Sequence, residues 1–93
     1  MSEHTTASLA RLDELIAIIK TQPSGSSSAS LTEETDALRR AVSAFHLEAI
    51  RFRMFNVDRL IRQHGDDPSL RTALEAVRHE LEAAGFHTRS HAS

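Results

Sequence analysis

Between Leu31 and His64 the chain runs without a glycine or a proline, the two residues at which helices most often end or bend. Apolar residues recur through this stretch at helical spacing, and its upstream edge reads as a capping box. In Ser30-Leu31-Thr32-Glu33 the serine oxygen and the Glu33 carboxylate satisfy each other's backbone amides. Gly65 suits the left-handed position that follows a helix. The sequence therefore predicts one helix over about residues 31–64, roughly 51 Å long at 1.5 Å per residue.

The apolar surface of that helix is too wide for one neighbour. At 100° per residue, Leu31, Leu38, Val42, Phe45, Ala49, Phe52 and Leu60 fall within about 40° of one direction. Leu47, Ile50, Met54, Val57 and Ile61 form a second group about 120° further round. Over residues 45–61 the apolar arc spans roughly 200°, against the ~100° that a helix facing one partner needs. A second chain is the simplest cover for the excess.

Two shorter helices flank the long one. The first is predicted over about residues 6–21, with Leu9, Leu12, Leu15, Ile16 and Ile19 in one stripe. Pro23 stops it, because the residue before a proline is pushed out of the α region. Residues 22–30 are rich in serine and read as a flexible linker. The third helix is predicted over about residues 68–84, capped by Asp67 with Pro68 in its first turn. Gly85 and Phe86 fit a Schellman ending in which Phe86 folds back on Leu81. The tail, residues 87–93, is expected to be disordered. No strand pattern or internal repeat occurs, so the fold expected for residues 1–93 is a single all-α domain. In it the second and third helices form an antiparallel hairpin, and two chains pair through the second helix into a homodimeric helical bundle.

Charge placement supports the pairing. Glu33, Glu34 and Asp36 open the second helix, whereas Arg39, Arg40, Arg51, Arg53, Arg59 and Arg62 follow against only Glu48 and Asp58. A helix acidic at its start and basic at its end is complementary to an antiparallel copy of itself. The competing explanation is that the gradient answers the helix dipole. The expected interface comprises Phe45, Ile50, Phe52, Arg53, Met54, Val57 and Ile61. Phe55 falls on the charged side, either as an exposed anchor or as a contact with the first helix.

Arg39, His46 and Arg53 are seven apart on one row beside the apolar groups. The row offers a site for a carboxylate or phosphate, which arginine grips in a bidentate fork. The simpler reading pairs Arg53 with Glu75 or Glu82 of the third helix, or with a partner carboxylate. Asn56 and Gln63 read as register-setting polar residues of the same kind. A metal- or anion-responsive sensor using His46, Arg53 and the His87/His91 tail is the alternative function. No two helical histidines share the i, i+3 or i, i+4 spacing of metal ligands, so no metal and no cofactor is expected.

The chain has no cysteine, which removes disulfides, thiolate catalysis and Cys-ligated zinc. No Gly-rich phosphate loop, nucleophilic serine on a strained turn or inward carboxylate pair is present, so no enzymatic activity is expected. With a formal net charge of −2 and neither Trp nor Tyr, nucleic-acid binding is not indicated either. The longest apolar run, Leu15 to Ile19, is far short of the ~20 residues of a membrane span. The opening Met-Ser-Glu-His-Thr-Thr has neither the charge nor the apolar stretch of a signal peptide. A cytoplasmic protein is expected, and a basic complement that is nearly all arginine fits a GC-rich bacterial gene. The functional expectation is a non-enzymatic helical homodimer acting as an interaction, adaptor or regulatory module.

Overall fold

The stretch expected to form one long helix is broken at Phe45. The computed structural model describes residues 3–22 and 26–86 and contains, among them, four helices and no strand. These are α1 (Glu3–Lys20), α2 (Ser26–Ala44), α3 (Leu47–Gln63) and α4 (Pro68–Ala83). The helix expected over residues 31–64 is thus two helices, α2 and α3, joined by Phe45 and His46.

The break is a Schellman closure built without glycine. The Phe45 amide donates to the Val42 carbonyl and the His46 amide to the Ala41 carbonyl, each at 3.1 Å. These are the two bonds of that motif, and they place Phe45 at the left-handed position, with φ 62°. The same closure ends α3 at Gly65, and it ends α4 at Gly85, where Phe86 donates to the Leu81 carbonyl at 2.8 Å as the sequence suggested. At those two sites glycine takes the positive φ; at Phe45 an L side chain carries a cost of roughly 1–2 kcal/mol.

The break resolves most of the over-wide apolar arc, leaving Phe45, Leu47 and Phe52 exposed. Turning α3 back on α2 points Leu31, Leu38 and Val42 and also Ile50, Met54, Val57 and Ile61 into one core, all nearly or wholly buried. Full burial of each such side chain contributes about 1.5–3 kcal/mol. The four from α3 therefore outweigh the cost at Phe45 several-fold. Leu12, Leu15 and Ile19 of α1 and Leu70, Leu74, Val77 and Leu81 of α4 complete the core.

The four helices form a ring in which α1 lies against α2 and α4, and α2 lies against α3. The α3–α4 edge is the loosest, and among the described residues the helix backbones do not approach closely across either diagonal. Cross-helix contacts orient α1. Asp13 of α1 meets Arg39 of α2, and Arg11 meets Glu80 whereas Glu14 and Ile18 border a depression with Pro68 and Ser69, so α1 runs antiparallel to α4. The expected hairpin of the last two helices survives only near its turn, where Arg71 bonds Asp58; most of α4 packs on α1. The greatest extent is 34 Å, too short for a 51 Å helix, whereas 16 to 19 residues need only about 24–29 Å.

Other boundaries shift less. The first helix begins at Glu3, not near Thr6. Helix α2 already includes Ser26, so Ser30 and Glu33 lie inside it and form no capping box. Of the expected linker, residues 26–30 are helical, while residues 23–25 lie outside the described residues, as does the tail from residue 87 onward. The α4 start is as read: the Asp67 carboxylate accepts from the Ser69 and Leu70 amides at 2.8 and 3.3 Å. No helix among the described residues is long and apolar enough to cross a membrane.

Candidate functional site on the outer face of α3

The residues expected to form an interface separate into two sets. Ile50, Met54, Val57 and Ile61 lie wholly inside the chain's own core. Phe52 points outward, 57% exposed, and so does Phe55, which lay outside the expected set and is 52% exposed. Phe45, at the α2–α3 corner, is half-exposed, and its ring meets Phe86 edge-on.

Arg53 finds a carboxylate, but not on the third predicted helix. Its guanidinium donates to both oxygens of Glu34 at 3.0 Å, and the Asn56 amide reaches the same carboxylate at 3.4 Å. Glu75 instead bonds Arg78 on its own helix. The break is the physical reason: once α3 folds back along α2, Glu34 becomes the nearest acid to Arg53. The guanidinium also lies 5.3 Å from the Phe52 ring centroid, within cation–π range.

The same break scatters the proposed anion row. Arg39 bonds Asp13 at 2.8 Å, a contact that holds the Asp13 carboxyl below its ordinary value, first through the hydrogen bond and then through the guanidinium charge. His46 is exposed at the start of α3 and makes no capping bond with its side chain. Asn56 bonds Glu34 within the chain, and Gln63 is exposed. His87 and His91 lie outside the described residues, and among the described ones no three His, Asp or Glu side chains are grouped to hold a metal ion.

What the outer face of α3 does carry is a seam. Glu48, Phe52, Phe55, Arg59 and Arg62 alternate at spacings of four and three and fall within about 80° of arc. Their mean direction lies about 150° from that of Ile50, Met54, Val57 and Ile61. Glu48, Arg51, Phe52 and Phe55 border an open depression of about 390 Å³. A second depression, bordered by Glu33, Glu34, Asp36, Arg40 and Arg53, mixes both charge signs and contains the Arg53–Glu34 pair. Sequence reasoning noted Phe55 but missed the seam, because a continuous helix groups Phe52 with Leu38 and Val42. The signal was present as the four–three spacing, which becomes visible once the helix is divided at Phe45.

Comparison with known proteins finds no family model, curated protein or solved structure that matches this chain. The fold and the seam define it only as an all-α protein of four helices with an aromatic outer face.

Proposed function

We propose that this protein is a non-enzymatic interaction module, an adaptor or regulator that works as a homodimer and docks through the outer face of α3. The observation that carries this reading is the exposure of Phe52 and Phe55, one helical turn apart, on a chain whose core is already filled without them. Contiguous exposed apolar surface marks interaction sites, and aromatic residues beside arginine are the composition enriched at interface centres. The apolar excess that first suggested a partner is mostly absorbed by the break at Phe45. What remains is a small face, which fits a reversible dimer in the class below about 1,200 Å² of buried surface.

Sedimentation equilibrium from micromolar to millimolar concentration, with chelator present, tests the reading. The wild-type chain is expected to pass from monomer to dimer, and the Phe52→Ser/Phe55→Ser variant is expected to stay monomeric with unchanged helicity. A wild-type chain that is monomeric throughout would overturn the homodimer.

A further inference from the structure

From the seam on α3 we infer not only that a second copy of this chain is the occupant but also how it lies: antiparallel, with residues whose numbers sum to 107 facing each other. The inference rests on the homodimer proposed above and adds its register. Alternating four–three spacing is the geometry by which two helices interlock side chains along a seam. In a two-fold pair the contacts are reciprocal, residue i on j and j on i. The 107 register puts Phe52 against Phe55 of the partner subunit, and Phe55 against Phe52 of the partner subunit. One turn outward on each side, Glu48 faces Arg59 of the partner subunit, and Arg59 faces Glu48 of the partner subunit.

Two features of the chain select this arrangement. The first is that Glu48 and Arg59 are exposed and, among the described residues, neither has an ion-pair partner within its own chain. Their signs are opposite and they flank the aromatic pair symmetrically, so a copy related by a two-fold axis between Arg53 and Met54 answers both at once. The second is that the alternatives leave seam charges opposed or unanswered. A parallel, in-register pair sets Glu48 on Glu48 of the partner subunit and Arg59 on Arg59 of the partner subunit. Sliding the antiparallel pair by three residues, to a sum of 110, sets Phe55 on Phe55 of the partner subunit and Glu48 on Arg62 of the partner subunit, but that arginine is already held by Asp58 of its own chain. The slide also brings Arg51 level with Arg59 of the partner subunit and leaves Phe52 facing Asp58 of the partner subunit. Like-charge juxtaposition suppresses the wrong alignments.

The absence of cysteine gives a direct test. Chains carrying Glu48→Cys and Arg59→Cys are prepared separately, mixed in equal amounts and oxidised. In the 107 register the two sulfurs are level, and the reciprocal Glu48–Arg59 pair is intact on the other side of the axis. The mixed disulfide dimer is expected to dominate. Each variant alone is expected to remain uncrosslinked, because its two sulfurs then sit eleven residues apart along the helices, about 16 Å, beyond the ~7 Å between Cα atoms that a disulfide tolerates. Charge reversal gives an independent reading of the same pair. Glu48→Arg or Arg59→Glu alone should weaken the dimer at least tenfold, and the two together in one chain should recover it to within threefold.

Efficient crosslinking of Glu48→Cys chains with themselves would overturn the register. So would a failure of the double reversal to recover association in a chain whose wild type dimerises, and in both cases the homodimer itself would stand. A wild-type chain that is monomeric at millimolar concentration would overturn the register and the homodimer together.

Discussion

The ring of Phe45 meets the ring of Phe86 edge-on, with centroids 5.1 Å apart and planes at 81°. Each of these residues belongs to a Schellman closure, Phe45 at the end of α2 and Phe86 at the end of α4. The contact therefore ties the ends of two helices whose backbones do not approach closely along their lengths. An aromatic pair in this geometry contributes about 0.5–1.5 kcal/mol beyond area burial, close to the roughly 1–2 kcal/mol that the left-handed backbone at Phe45 costs. The side chain that makes the corner expensive also supplies the contact that offsets it.

Comparing glycine with alanine at this corner tests the break. Both Phe45→Gly and Phe45→Ala lose the ring contact, but only glycine takes φ 62° without steric cost. Phe45→Gly should therefore be the more stable of the two by about 1 kcal/mol. Were the backbone helical through residue 45, the order would be reversed by a similar amount, since glycine in a helix interior is about 1 kcal/mol worse than alanine. Urea unfolding of the two variants decides the sign.

This corner also shows why part of the fold was legible and part was not. The all-helical class, the α4 cap at Asp67 and the closure at Gly85 follow from local chemistry, in which a specific side chain or a missing Cβ makes one backbone conformation favourable. Nothing local marks Phe45-His46, where no glycine, proline, asparagine or capping serine occurs. The break is imposed by burial of Ile50, Met54, Val57 and Ile61 against α2, α1 and α4, a tertiary term that no residue near the corner announces. Missing it also misplaced the partner of Arg53, because Glu34 was counted as lying on the same straight helix. The aromatic excess was visible, yet its division into a buried and an exposed half depended on knowing where the helix turned.

That division makes opposite demands on neighbouring residues of α3. Met54 is wholly buried, and Met54→Ala should cost about 2–5 kcal/mol as the cavity it leaves stays only partly filled. Phe52→Ser removes a ring that is 57% exposed, and monomer stability should change by no more than about 0.5 kcal/mol. Chemical denaturation at low micromolar concentration, where a small interface is dissociated, measures both. Loss of more than about 2 kcal/mol from Phe52→Ser would place that ring in the core of the chain.

The Arg53–Glu34 pair joins α3 to α2 through a half-buried contact in which one guanidinium nitrogen, Nη1, donates to both carboxylate oxygens. Substituting either partner by alanine strands the other against a partly desolvated surface, so each single variant should be destabilised. A double-mutant cycle should return a coupling of about 0.5–1.5 kcal/mol, above the median for fully exposed pairs. Zero coupling in unfolding experiments at low salt would show that the pair contributes position without stability.

The Asp13–Arg39 pair, which joins α1 to α2, gives a pH signature. Its contact with Arg39 lowers the Asp13 pKa in the folded chain, the hydrogen bond being the larger cause and the charge adding to it. Arg39 is shifted upward in turn and stays charged throughout. A carboxylate whose pKa is depressed by folding stabilises the native state above its unfolded pKa and loses that contribution as pH falls through the folded value. The stability difference between wild type and Asp13→Asn should therefore be constant near neutrality and close on acidification below about pH 4. With side-chain exposures of 58% for Asp13 and 42% for Arg39, the difference belongs near the low end of the roughly 0.2–1 kcal/mol typical of exposed pairs. It should shrink further in 1 M salt, where the screening length falls to about 3 Å. Thermal unfolding of the two proteins at pH 7 and pH 3, with and without salt, checks the sign. A gap that widens on acidification would show that Asp13 stabilises the fold through its protonated form.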